Sequence, residues 1–403
     1  MENVSSSNSL KKQPKLRFPG FEEPWKAALL SDYFAKNIKK NANGAITNVI
    51  CNSAKQGLIP QRDYFDKDIA NSDNTNGYYI IETNDFVYNP RKSTDAPYGP
   101  ISSYKYPEAG IVSPLYLCFR AKHEINPLYF EWYFRSSAWH RYIYMSGDSG
   151  ARHDRVSIKD DAFFAMPINI PSAKEQDRIA LFLNAIEQRI DKQRSLVDAL
   201  KKYKRGAVDG LLARNIKFQA SDDWEEIKIA DLFSPISDKG HSELTVLTIV
   251  QGTGTLPRDC VDRRISYDKS NINTYKRVME NDFILHLRSF EGGLEVANSK
   301  GIVSPAYTVL RASKEISPKF YYAYFRSYWF ICNKLRIAVE GIRDGKSINM
   351  DTFWNIKIPY PSLAEQIQIA EYLETIDLKL TNAEKTLKNL AKIKNGLLQQ
   401  LFI

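Results

Sequence analysis

Two stretches of this 403-residue chain combine residue types and spacing that could do chemistry. Asn126-Pro127-Leu128-Tyr129-Phe130 approaches an Asn-Pro-Pro-aromatic pattern, suited to holding a flipped adenine against an aromatic face. Leu128 stands where the second proline belongs, and the matching stretch later in the chain, Ser317-Pro318-Lys319-Phe320-Tyr321, drops the asparagine. The pattern therefore reads as a helix started by proline. Gly341-Ile342-Arg343-Asp344-Gly345-Lys346-Ser347 ends like a phosphate-binding loop, yet GxxxxGK[ST] needs a glycine where Glu340 stands, and its counterpart from Gly150 reads GARHDRV. No strand-linked GxGxxG and no Ser/His/Asp grouping stands out among five histidines, so the sequence offers no catalytic residue, cofactor site or metal site.

What remains is a set of basic and polar residues in glycine-rich loops. Arg91, Lys92, Tyr98, Tyr104 and Lys105 lie before one glycine, Gly110; Arg288, Ser289 and Glu291 lie before another, Gly301. Arg152, His153 and Arg155 form a third group, Arg343 and Lys346 a fourth. Arginine can bond guanine through two donors and lysine can neutralise phosphate, so these residues form a candidate DNA-binding set. A net charge of +9 and 23 tyrosines agree with a polyanionic partner. Any single one of these charges also fits a solvated surface.

These loops belong to a unit written twice. The pentapeptide GIVSP occurs at Gly110–Pro114 and at Gly301–Pro305, and YFRS occurs at Tyr133–Ser136 and Tyr324–Ser327. Upstream, Asp85–Arg91 (DFVYNPR) matches Asp282–Arg288 (DFILHLR), and Trp25 matches Trp224. Downstream, PSAKEQ from Pro171 matches PSLAEQ from Pro361. The copies differ most in length between the arginine and the glycine, where Arg91 to Gly110 is the longer stretch. A shared frame with unequal loops suits a fold that carries a changing recognition surface.

Each copy mixes short β-branched and aromatic runs with one aromatic helical stretch, then a long helix. Ser172 with Glu175, and Ser362 with Glu365, form S-x-x-E helix starts. After them Ile179, Leu183, Ile186, Ile190, Gln193, Val197, Leu200, Lys204, Ala207 and Leu211 recur at heptad spacing. Ile369, Leu373, Ile376, Leu380, Ala383, Leu387, Leu390, Lys394, Leu397 and Leu401 repeat that seam, lysine included, with Gly206 and Gly396 two residues beyond. A helix of about 40 residues spans about 60 Å. The expected fold is α+β: two tandem α/β recognition domains with pseudo-two-fold repeat, and two long helices pairing as an antiparallel coiled coil; a homodimeric coiled coil is the alternative.

The expected boundaries are a disordered tail over 1–17, recognition domains over 18–170 and 215–360, and helices over 171–214 and 361–403. The polar start and the lack of an apolar run of about 20 residues predict a cytoplasmic protein with no membrane segment. Four scattered cysteines read as small buried hydrophobes.

From Phe18 to the C-terminus the chain resembles the specificity subunits of type I restriction-modification enzymes, on the strength of GIVSP, P-S-x-x-E-Q and the Gly-Leu-Leu at Gly210 and Gly396. The resemblance implies a non-catalytic subunit that reads a bipartite double-stranded DNA site, one half per recognition domain. It implies assembly with two methyltransferase subunits and with restriction and translocase subunits. Two equivalent half-chains agree with two copies of one partner. The competing readings are a DNA methyltransferase or nuclease with a duplicated DNA-binding region, and a coiled-coil adaptor without nucleic acid.

Overall fold

The computed structural model describes residues 13–64, 75–147, 154–214, 216–217, 223–261, 269–286, 293–341 and 347–403. Two compact units divide it: Met1–Gln193 with Thr386–Ile403, and Arg194–Lys385. Each unit thus takes one stretch from each long helix. No helix among the described residues is long and apolar enough to cross a membrane.

The first unit centres on a four-stranded antiparallel sheet ordered Phe34–Lys36, Leu117–Ala121, Phe86–Tyr88, Ile101–Ser103. The second repeats the order with Phe233–Ile236, Tyr307–Ala312, Phe283–His286 and Glu295–Val296. A hairpin follows the first sheet strand in each, Ile50–Ser53 with Gly57–Pro60 and Leu247–Val250 with Gly254–Pro257. Helices Pro127–Arg135 and Pro318–Phe325 then cover the sheets with aromatic faces. Phe34 meets Phe86 edge to face at 5.4 Å, and Phe233 meets Phe283 at 5.5 Å. Such pairs add about 1 kcal/mol beyond the area they bury.

GIVSP has a packing origin. Gly110–Val112 pairs with Tyr79–Ile81, and Gly301–Val303 with Lys276–Val278. Both strands also touch the base of the hairpin, where the Ile111 amide donates to the Asn48 carbonyl and the Ile302 amide to the Thr245 carbonyl, each at 2.9 Å. A Cβ on Gly110 would stand 2.5 Å from Ile50 Cγ1; one on Gly301 would stand 2.7 Å from Leu247 Cδ1. Only glycine lets the hairpin sit that close. The pentapeptide recurs because the same joint is built twice.

A second duplicated device lies in the turns before Asp85 and Asp282. Asn84 and Asn281 take left-handed backbone at φ 69° and 71°, conformations that asparagine tolerates. Each following aspartate is buried and receives a two-point fork. Arg120 Nε and Nη2 donate to Asp85 at 2.6 and 2.7 Å, and Arg311 repeats this on Asp282 at 2.8 and 2.6 Å.

The long helices span Ala173–Leu212 and Leu363–Leu401. In the second unit they run antiparallel, with Lys201 against Glu384 at 2.9 Å, Lys204 against Asp377, and the Tyr203 and Tyr372 hydroxyls 2.5 Å apart. In the first unit Lys394 donates to Glu187 at 2.8 Å, and Leu398 and Leu401 join the sheet core. None of the expected seam residues is exposed. The duplicated lysine is thus one interhelical ion pair made once per unit. Nothing in the structure requires Gly206 or Gly396, since a Cβ at either meets open space.

Ser172 and Ser362 accept from the amides of Glu175 and Glu365 at 3.4 and 3.3 Å, the first half of a capping box in each copy. Glu175 spends its carboxylate on Arg17, at 2.7 and 2.8 Å. Of the tail expected over 1–17, residues 1–12 lie outside the described residues, while Leu16 donates its amide to the Gln400 carbonyl at 3.0 Å.

Candidate nucleic-acid interface

The two apparent catalytic stretches resolve differently. Asn126 is the N-cap of Pro127–Arg135 and accepts from the Tyr129 amide at 2.9 Å; Ser317 does the same for Pro318–Phe325, accepting from Phe320 at 3.4 Å. Cap and proline account for both motifs. Of the GIRDGKS loop, residues 342–346 lie outside the described residues. No group of three or more His, Cys, Asp or Glu among the described residues could hold a metal.

A cleft of about 590 Å³ opens in the first unit beside the hairpin, and an adjoining one of about 470 Å³ shares Pro90, Leu115, Tyr116 and Arg155 with it. Lys55, Arg91, Lys92 and Arg155 bring four positive charges to the larger cleft, against one carboxylate, Asp95. Three of the four were legible as loop residues. Their convergence is set by a short antiparallel bridge between Arg91 and Arg155, flanked by the Lys92 amide donating to the Asp154 carbonyl and the Val156 amide to the Pro90 carbonyl, both at 2.8 Å. Lys55, at the hairpin tip, is the residue that sequence reasoning missed. Its signal is a lysine two residues before Gly57, which turns the hairpin with φ 73°. Lys55 reaches Asp95 at 3.5 Å with both side chains exposed, a contact worth little in water.

Three expected contact residues go elsewhere. Tyr104 is fully buried and donates its hydroxyl to the Glu108 carbonyl at 2.8 Å, so it serves the core and is withdrawn from the interface. Tyr98 packs its ring on His140 at 4.7 Å, and its carbonyl accepts from Tyr88. Lys105 is outward but its ammonium is held by Glu131 at 2.9 Å. Arg152, His153, Arg288, Ser289, Glu291, Arg343 and Lys346 lie outside the described residues.

The corresponding hairpin of the second unit is held differently. Glu295, buried in the sheet, accepts from the Gly252 and Gly254 amides at 2.9 and 3.1 Å and from the Tyr322 hydroxyl at 2.9 Å. Burial pushes the Tyr322 phenol up to about 12, so it stays a donor. Nearby, Lys276 donates to the Tyr307 carbonyl at 2.6 Å, and burial pushes its pKa down. Glu295 thus braces this hairpin from within the sheet.

Residues 221–392 match the family described as the type I restriction modification DNA specificity domain, which covers the second copy of the repeat. Over 316 residues the chain is 22% identical to the candidate type I restriction enzyme MjaX specificity subunit of Methanocaldococcus jannaschii, covering 73% of this chain and 68% of that protein. The type I restriction enzyme MjaVIII specificity subunit of the same organism is 26% identical over 182 residues, 45% of this chain and 42% of its own length. Among solved structures, the HsdS subunit from Thermoanaerobacter tengcongensis shares the fold with a TM-score of 0.57 at 17% identity, covering 96% of this chain and 98% of that one. A chain from a structure concerned with assembly and conformational transition of the type I R-M system gives 0.60 at 17% identity, covering 95% and 98%. Residues 221–392 thus match the DNA specificity domain family, and the chain as a whole is similar to specificity subunits of type I restriction-modification systems, with the same frame built in both halves.

Proposed function

We propose that this chain is the non-catalytic DNA-reading subunit of its system. Each recognition domain, 18–170 and 215–360, reads one half of an interrupted site, and the helices over 171–214 and 361–403 set the spacer. Methyltransferase subunits bound to it then modify adenine, and restriction subunits act on unmodified DNA. The observation that carries this reading is the cationic cleft of the first unit, where four basic side chains from three segments, Lys55, Arg91 with Lys92, and Arg155, converge with one exposed carboxylate among them. A polyanion supplies the missing counter-charge.

The hairpins bordering the two faces differ in residues and bracing, so the two half-sites are unequal. A single-molecule methylation map of the host genome, with and without this gene, tests the proposal. Loss of one interrupted motif with unlike halves is expected; a palindromic motif would overturn the unequal halves. Binding of S-adenosylmethionine or ATP by the isolated chain would overturn the non-catalytic assignment. Deleting one heptad from each helix should change the spacer and keep both half-sites.

A further inference from the structure

Arg155 differs from four other half-buried arginines in what it faces. Arg17, Arg277, Arg311 and Arg326 each face a carboxylate, respectively Glu175, Asp238, Asp282 and Glu295. Arg155 faces none among the described residues, and its Nε is shut off from solvent without a hydrogen-bond partner. Taking a guanidinium partly out of water without an acceptor is costly, and a ligand that brings the acceptor removes the cost. Of the nearby acids, Asp95 stands against Lys55 and Asp160 against Lys36, both in solvent-exposed pairs.

The backbone of Arg155 is fixed by its bridge to Arg91, so the side chain projects from a rigid base into the wall common to both clefts. The amides of the larger cleft are already spent. Asn52 donates to the Val87 carbonyl at 2.8 Å and accepts from Ser102 at 2.9 Å, while Asn89 accepts from the Arg91 amide at 3.1 Å. Lys55 and Lys92 are exposed point charges on flexible stems, suited to phosphate. A planar fork of donors is suited to the two acceptors on the major-groove edge of guanine.

We infer that Arg155 is the specificity-determining side chain of the first unit and reads a guanine in its half-site, with Lys55 and Lys92 holding the adjoining phosphates. This rests on the proposal that the chain binds DNA. The test is selection from a pool of duplexes with random interiors, using the full chain in complex with its methyltransferase subunits, wild type against Arg155→Ala, Arg155→Lys, Lys55→Ala and Lys92→Ala. Arg155→Ala should lose a preference for guanine at one position of one half-site by roughly tenfold to a hundredfold, leaving the other half-site and the spacer intact. Arg155→Lys, which keeps the charge and assembles if the alanine variant does not, should bind and still fail to discriminate at that position. The two lysine variants should weaken binding evenly across sequences and each lower the salt slope by about one. Retained guanine preference in both Arg155 variants, or an even loss across all sequences, overturns the inference while leaving DNA binding standing. A wild-type complex that selects no sequence overturns the parent proposal instead.

Discussion

The arginine of YFRS shows how the two units solve one problem with different residues. Arg135 ends the helix of the first unit and bonds Glu131, one turn back on that helix, at 2.6 Å. Arg326 ends the helix of the second, where the residue one turn back is Tyr322, and its carboxylate comes from the strand residue Glu295 at 3.4 Å. Both carboxylates are buried, and both arginines lie over the ring of a helix aromatic, Trp132 at 4.9 Å and Tyr322 at 5.0 Å. The carboxylate has changed element while the charge pair is kept. Its move has a consequence: Glu295 also ties down the hairpin amides, whereas the first-unit hairpin is held through Asn52, with Lys55 at its tip lining the cleft beside Asp95. A duplicated frame tolerates such exchange because what it must satisfy is a buried charge, and any acceptor within reach will do.

Removing what the units share should have the largest effect. Asp85→Ala and Asp282→Ala each strip a carboxylate that is 1% and 3% exposed from an arginine fork and a backbone amide, Glu82 or Met279. Each should cost roughly 3 kcal/mol in chemical denaturation, and a much smaller loss in one unit would break the equivalence. Glu295→Ala is the sharper probe of the difference. It should cost about 2 kcal/mol and expose Gly252 and Gly254 to amide hydrogen exchange, while Glu131→Ala leaves residues 54–56 at their original protection. Protection lost in both hairpins would show that the bracing is the same after all.

Lys204→Met and Lys394→Met test the seam. Both ion pairs are partly exposed, so each substitution should change stability by under about 1 kcal/mol, read from thermal melts at low and high salt. The smallest effect belongs to His140, whose burial between Tyr98 and its neighbours lowers its pKa. Because the folded value lies below that of the unfolded chain, the unfolded chain binds the proton first. Stability from this group is therefore present above the ordinary histidine pKa of about 6.5 and declines as pH falls below it. His140→Phe should flatten the acid-side slope of stability against pH, and an unchanged slope would assign it to other groups.

The internal repeat, the two long helices, their lysine-bearing seam and the proline-started helices were all legible in the sequence. Each of these is written in local spacing: heptads, caps and prolines constrain neighbours within a turn or two of chain. Of the candidate site, the loop positions of Arg91, Lys92 and Arg155 could be read, because basic residues beside turn residues stay near the surface. Tyr104 and Lys105 could not be told apart. They are adjacent in a run of alternating residues, and only the packing of Ile50 and Gly110 around Tyr104 decides which one is inside. The tertiary structure likewise decided that Arg155 bridges to Arg91, that Lys55 joins them from a hairpin, and that Glu295 rather than a helix residue meets Arg326. Local patterns fix which elements form. Which side chain finds which partner depends on contacts between segments far apart in the chain, and only the folded packing brings those together.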